Sequence, residues 1–148
     1  MTRINVEPIH ILLVEDDEAD ILLAQRAFER ANIWNKIDVV RNGQEALDFL
    51  DNQNAYADKA KYPKPGVILL DLNLPGIDGR EVLNRVSSDP ELKSIPVVIV
   101  STSDYERDIE HGRAHGVEHY IIKPIQVDNI METCSAIRGF RIILGNVV

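Results

Sequence analysis

The sequence Ile-Leu-Leu-Asp-Leu-Asn-Leu-Pro-Gly at residues 68–76 decides the fold and places one carboxylate between an apolar run and a turn. The branched run at 67–70 predicts a buried strand. Asp71 then lies at the carboxyl end of that strand, where ligands of open parallel sheets bind. We therefore begin from Asp71 as the candidate functional residue.

A second apolar run, residues 9–14, leads directly into Glu15, Asp16 and Asp17. If its strand lies beside that of Asp71, up to four acidic side chains converge on one sheet edge. Two unit charges about 4 Å apart repel by roughly 4 kcal/mol at an effective dielectric near 20. The sequence therefore predicts a cation at this edge.

Strand-like runs alternate with helix-like segments along the chain. The strand-like runs are residues 9–14, 37–40, 67–70, 97–100 and 119–122. Apolar residues at helical spacing lie between or after them, namely Ile21, Ala24, Phe28 and Ala31, then Val82, Leu83 and Val86, and finally Val127, Ile130, Cys134 and Ile137. Ser103 and Glu106 form a capping-box pattern before a fourth helix, which Gly116 closes. The alternation predicts an α/β fold with a five-stranded parallel sheet, helices on both faces and right-handed crossovers.

Length and composition predict one domain of 148 residues, with 45% hydrophobic residues to form its core. The formal net charge of −8 repels nucleic acid, so we expect no DNA or RNA partner. Cys134 is the only cysteine, which excludes an internal disulfide and fits a reducing compartment. No apolar run approaches the roughly 18 residues of a membrane span. These features predict a cytoplasmic protein without a membrane partner.

Two segments stand apart from the βα pattern. Residues 51–66 contain Asn, Asp, Lys and two prolines, and we expect an extended loop that serves as a solvated spacer. Residues 139–148 form an apolar C-terminal extension that includes Phe140 and Ile143. This extension is either ordinary core packing or a helix that pairs with another copy, which would give a homodimer.

Polar groups follow four of the five predicted strands. They are Glu15 and Asp16, then Asp71, then Ser101 and Thr102, and finally Lys123 before Pro124. Carboxylates and a backbone oxygen are ligands that suit magnesium, which commonly binds one or two carboxylates and a phosphate. A hydroxyl and an ammonium suit the oxygens of that phosphate. The pattern favours phosphoryl chemistry with Asp71 as the nucleophile.

At these residues the sequence resembles a response-regulator receiver domain. The resemblance rests on the acidic pair at 15–16 and on Leu-Asp-Leu-Asn-Leu-Pro-Gly-Ile-Asp-Gly at 70–79. It also rests on Ser101, thirty residues after Asp71, and on Lys123-Pro124, twenty-two residues after Ser101. It covers about residues 9–138, the receiver core, and implies a flavodoxin-like (βα)5 fold.

The resemblance also implies a metal site. Asp16 and Asp71 are expected to bind Mg²⁺ directly, Asn73 to add its main-chain carbonyl, and Glu15 to act through water.

Further roles follow from the same resemblance. Ser101 is expected to hydrogen-bond a phosphoryl oxygen, and Lys123 to pair with it. Thr102 and Tyr120 occupy positions of an activation switch in which the tyrosine turns inward, although an aromatic residue at a strand end is also common packing. The peptide before Pro124 is expected to be cis, a form realistic only before proline.

The implied function is that of a two-component phosphorelay response regulator. It accepts a phosphoryl group on Asp71 from a histidine kinase and signals by protein contact. It assists its own phosphotransfer and dephosphorylation but is not a separate turnover enzyme. The acidic opening, the insertion at 51–66 and the absent effector resemble the small regulators that partner cyanobacterial and bacterial phytochrome histidine kinases.

Other functions remain as alternatives. A degenerate receiver that acts as a binding scaffold is one. A magnesium-dependent aspartyl-phosphate phosphatase is another, but it needs an acid two residues after the nucleophile, where this chain has Asn73. A flavin-binding protein of similar fold needs a phosphate-binding loop after the first strand, where this chain has Glu-Asp-Asp-Glu at 15–18.

Overall fold

The protein is described from a computed structural model that covers residues 10–102 and 106–137. Within these residues five strands alternate with five α-helices. The strands are β1 (Ile11–Val14), β2 (Ile37–Val40), β3 (Val67–Asp71), β4 (Val97–Ser101) and β5 (His119–Ile122). The helices are α1 (Glu18–Arg30), α2 (Gly43–Asp51), α3 (Gly79–Ser88), α4 (Glu106–Ala114) and α5 (Val127–Ala136).

The strands form one parallel sheet in the order β2-β1-β3-β4-β5. Val14 pairs with Leu70, and Asp71 pairs with Val100 one step further along. This register brings the carboxyl ends of β1, β3 and β4 to the same edge. The predicted α/β sheet with helices on both faces is confirmed, and the strand of Asp71 is its middle strand.

The hydrophobic core lies on both sides of the sheet, because successive strand residues point to opposite faces. One cluster combines α2 and α3 with the sheet residues Leu12, Val14, Ile68 and Leu70. The other combines α1 and α5 with the sheet residues Ile11, Leu13, Val67 and Leu69. Burial on both faces explains why these strands are continuous apolar runs in the sequence.

Helix ends follow from local side-chain chemistry. Asp17 caps α1 by accepting from the Asp20 amide at 3.0 Å, and Asp78 caps α3 by accepting from the Arg80 amide at 2.8 Å. Gly116 has φ +80° after α4, as the sequence predicts. The capping box expected at Ser103 lies outside the described residues.

The segment 51–66 is partly packed rather than wholly a solvated spacer. A short 3₁₀ helix, Asn54–Tyr56, follows α2. The rings of Tyr56 and Tyr62 lie with their centroids 5.2 and 5.6 Å from that of Phe49, in the core. The Asn52 side chain donates to the carbonyls of both tyrosines, at 3.1 and 2.8 Å. These contacts fasten the segment to the domain.

The C-terminal extension at 139–148, with Phe140 and Ile143, lies outside the described residues. In the part of the chain that the structure describes, every helix is too short or too polar to cross a bilayer.

Candidate functional site

The site forms where four strands end. Asp71 is the last residue of β3 and Ser101 is the last residue of β4. Glu15 and Asp16 follow β1 directly, and Lys123 follows β5. Parallel pairing therefore gathers these residues at one edge, as the sequence predicts.

A single ammonium group joins three carboxylates at this edge. The Nζ atom of Lys123 lies 2.9 Å from Oδ2 of Asp71 and 3.1 Å from Oδ2 of Asp20, and it also pairs with Glu15. The side chain of Lys123 is only 9% exposed, so these ion pairs are well shielded from water. The three N–H donors of the ammonium match three acceptors. The cation expected from the acidic cluster is thus present within the protein.

Burial makes the charge on Glu15 costly. Its carboxylate accepts from the amides of Asp16 and Asp17, at 3.0 and 3.4 Å, which orients it toward the pocket. Desolvation raises the pKa of Glu15 to about 7, and the nearby Asp71 adds to the rise, although Lys123 opposes it. Burial is therefore the main cause of the raised pKa, and the contact with Lys123 only partly offsets it.

The same environment raises the pKa of Lys123. Burial alone lowers that pKa, but the hydrogen bonds and charges of Glu15 and Asp71 outweigh burial. Lys123 therefore stays charged while Glu15 titrates near neutral pH.

Three carboxylates are arranged so that they could hold a metal ion. One oxygen from each of Glu15, Asp16 and Asp71 lies within 4.8 Å of the others. These are hard oxygen donors, and the single ammonium of Lys123 balances only one of the carboxylate charges that meet at this edge. The residues present fit a divalent cation. The Asn73 amide donates to Oδ1 of Asp71 at 2.8 Å, which fixes the orientation of the Asp71 carboxylate.

The hydroxyl residues lie beside this pocket. Ser101 is buried at the end of β4, one position beyond the partner of Asp71. The amide of Lys123 donates to the Ser101 carbonyl at 2.7 Å, which ties the ends of β4 and β5 together. Thr102 is exposed. The Lys123-Pro124 peptide is cis, as predicted.

Tyr120 is already held against α4. Its hydroxyl donates to the carbonyl of Ile109 at 2.9 Å and lies 3.3 Å from that of Val117. Burial raises the pKa of this hydroxyl. A Cβ on Gly112 would lie only 2.6 Å from the Tyr120 oxygen, so glycine provides the space for the ring. The expected inward turn of Tyr120 on activation stays a prediction.

Sequence reasoning missed two contributors to the site. Asp20, in the first turn of α1, is the third carboxylate on Lys123. Gly79 begins α3 so close to β3 that a Cβ there would lie 2.1 Å from the Asp71 carbonyl oxygen. Gly79 had a signal in the sequence, since it ends the motif at 70–79. Asp20 had only a weak one, its place in the acidic stretch after β1.

Comparison with known proteins gives consistent matches. The family model of the response regulator receiver domain matches residues 11–135. Response regulator Rcp1 of Synechocystis is 38% identical over 133 residues, covering 90% of this chain and 88% of Rcp1.

Solved structures agree with the sequence matches. The bacteriophytochrome response regulator RtBRR has a TM-score of 0.85 at 37% identity, covering 95% of this chain and 84% of its own. The phosphorylated cyanobacterial phytochrome response regulator RcpA has a TM-score of 0.74 at 42% identity, covering 86% and 89%. Rcp1 has also been solved in a Mn²⁺-bound form, with a TM-score of 0.72 at 39% identity, covering 85% and 88%.

Proposed function

The chain belongs to the response regulator receiver domain family, and from this we propose that it is a phosphorelay protein that accepts a phosphoryl group on Asp71 from a histidine kinase. The family is a signalling family rather than a class of turnover enzymes. The observation that carries the proposal is the position of the Asp71 carboxylate, 2.9 Å from Lys123 Nζ and within reach of Glu15 and Asp16.

The proposed chemistry is one phosphoryl transfer. An oxygen of the Asp71 carboxylate forms a bond to phosphorus while the P–N bond to the kinase histidine breaks, and the imidazole nitrogen keeps the electron pair. The product is an acyl phosphate that carries roughly two negative charges, by analogy with phosphoserine. Lys123 pairs with one phosphoryl oxygen, and the Ser101 hydroxyl donates to another.

Mg²⁺ is the proposed cofactor. Asp16 and Asp71 would bind it directly, Asn73 would add its main-chain carbonyl, and Glu15 would act through water. When bound, the ion supplies positive charge to the phosphoryl oxygens. The oxygen donors and the residual negative charge of the pocket support this assignment, as does the Mn²⁺-bound form of Rcp1.

The receiver is proposed to signal through its surface. Thr102, Tyr120 and Pro124 are the proposed switch residues, because Thr102 follows β4, Tyr120 joins β5 to α4 and Pro124 follows Lys123. The proposed output is a change at the surface of α4, β5 and α5. Since Tyr120 is already bonded to the Ile109 carbonyl, the proposed change begins with Thr102 rather than with an inward turn of the ring.

The partner is proposed to be a sensor histidine kinase of the phytochrome type. The RtBRR and RcpA matches support this, because their names link those proteins to phytochromes. The net charge of −8 supports the absence of a nucleic-acid partner.

The wider organisation is also part of the proposal. We assign one receiver domain to residues 1–148, with its core at 9–138, in a cytoplasmic protein that has no membrane partner, forms a homodimer and assists its own dephosphorylation. Light scattering on the full chain tests the homodimer, and a monomeric mass would contradict it.

Intact mass measurement tests the central proposal. The full chain is incubated with Mg²⁺ and acetyl phosphate, and we expect one added phosphoryl group that is lost on standing. Asp71→Asn is expected to gain none. An unmodified wild-type protein that releases no inorganic phosphate would favour a binding scaffold, and an unmodified protein that releases inorganic phosphate continuously would favour a phosphatase.

A further inference from the structure

The role of Asp20 is not explained by the pattern of carboxylates, hydroxyl and lysine described above. Asp20 lies in the first turn of α1, and its Oδ2 atom is 3.1 Å from Lys123 Nζ. Its backbone amide is already used by the Asp17 cap, at 3.0 Å. The Asp20 side chain therefore approaches Lys123 from α1, while Glu15 and Asp71 approach it from the carboxyl ends of β1 and β3.

Lys123 has no spare donor for a new ligand. An ammonium carries three N–H groups, and three carboxylates occupy them here. When Asp71 carries a phosphoryl group, the phosphoryl oxygens take over its contact with Lys123, and their higher charge and number make them compete with Glu15 and Asp20 for the other two donors. Whichever carboxylate is displaced has to be stabilised elsewhere.

Exposure decides which carboxylate is displaced most readily. The side chains of Glu15 and Asp71 are 4% and 7% exposed, whereas that of Asp20 is 28% exposed. Water can solvate a released Asp20, but it cannot reach a released Glu15 without opening the core. The amino end of α1 also favours a negative charge at Asp20 after release.

We propose that Asp20 is a positioning residue that holds Lys123 in the unphosphorylated pocket and is the carboxylate that Lys123 leaves when a phosphoryl group forms on Asp71. This inference rests on the proposed function. Asp20 competes with the phosphoryl group for the same ammonium, so it lowers the phosphorylated fraction at a given donor concentration.

The test compares Asp20→Asn with Glu18→Gln. Both substitutions remove one negative charge from the first turn of α1, but Glu18 pairs with Arg41 and is 75% exposed. With acetyl phosphate and Mg²⁺, intact mass measurement gives the rate constants of phosphorylation and dephosphorylation for each full-length variant. We expect Asp20→Asn to raise the ratio of the two about fivefold, which corresponds to about 1 kcal/mol for a part-exposed ion pair. We expect Glu18→Gln to leave it unchanged.

Asp20→Glu provides the rescue, because it retains the carboxylate on a longer side chain. Its ratio is expected to stay near that of wild type, and circular dichroism establishes that all variants are folded. Any of three results would overturn the inference. Asp20→Asn could give the same ratio as Asp20→Glu, the same ratio as Glu18→Gln, or a lower ratio than wild type. Absence of any phosphoryl group on wild type would instead refute the proposed function itself, and the inference with it.

Discussion

Replacing Lys123 with methionine should strongly destabilise the protein when no divalent ion is available. The substitution keeps most of the side-chain volume but leaves the buried Glu15 and Asp71 without their ammonium partner. Removing one member of a buried ion pair typically costs about 3–5 kcal/mol. Because Lys123 lowers the pKa of Glu15, its removal should raise that pKa above the wild-type value of about 7, so the full cost should appear only at alkaline pH.

Magnesium should return part of this loss. A divalent ion that binds only the folded state at about one hundred times its Kd adds about 2.7 kcal/mol of stability. The metal and the ammonium neutralise the same carboxylates, so the gain should be larger in Lys123→Met than in wild type. The measurement is urea denaturation followed by circular dichroism, with EDTA and then with Mg²⁺. Fluorescence is a poor reporter because Trp34, the only tryptophan, is already 66% exposed.

Lys36→Met is the matched control. Lys36 is a surface lysine, 48% exposed, whose Nζ lies 3.6 Å from Asp38. A surface ion pair contributes about 0–1 kcal/mol, so this variant should lose little stability and should respond to Mg²⁺ as wild type does. If Lys123→Met costs no more than Lys36→Met, or if both gain equally from Mg²⁺, the account of a charged pocket held together by cations is wrong.

Three further predictions follow from the raised pKa values and from the packing of Tyr120. In EDTA the free energy of unfolding of wild type, relative to that of Glu15→Gln, should fall as pH rises from 4.5 to about 7. The reason is that the folded state binds the Glu15 proton more tightly than the unfolded state does. Urea denaturation at several pH values measures this difference, and a difference that stays constant with pH would contradict the prediction. Gly112→Ala should cost about 1–3 kcal/mol by displacing the Tyr120 ring. Tyr120→Phe should lower the free energy of unfolding by about 1 kcal/mol, through loss of the hydroxyl hydrogen bond. The double variant should lose less than the sum of the two single losses. If urea denaturation gives additive losses, Gly112 and Tyr120 do not interact. The Cys134 thiol, whose pKa burial raises to about 11, should react with iodoacetamide at least about tenfold more slowly in the folded protein than in urea; similar rates measured by mass would contradict the burial.

The sheet and most of the site could be predicted because both depend on local patterns. Continuous apolar runs identify strands that are buried on both faces, and the residue after each run must then lie at the carboxyl edge. These patterns predict that Asp71, Glu15 and Lys123 lie together. The prediction needs only the parallel direction of the strands.

Asp20 and the segment 51–66 could not be predicted in this way. Whether the Asp20 carboxylate reaches Lys123 depends on the angle at which α1 leaves β1, which the sequence pattern does not specify. The packing of Tyr56 and Tyr62 on Phe49 likewise depends on how the chain turns after α2. The polar composition predicts a solvated spacer there. The two aromatic rings instead bury apolar area against Phe49 and so hold the segment on the domain.

Charge balance explains why a pocket of this kind responds to phosphorylation. Glu15, Asp20 and Asp71 share the Lys123 ammonium, and Asp16 lies beside them, so the resting pocket has a net charge of about −3 when all four carboxylates are ionised. A divalent ion brings this to about −1, and a phosphoryl group on Asp71 adds roughly one negative charge again. That added charge must be relieved by a group that can move or reach water. Among the partners of Lys123, the buried Glu15 and Asp71 cannot reach water, whereas the part-exposed Asp20 on α1 can. The conformational response should therefore begin at the contact between Lys123 and α1 as well as at the loop after β4.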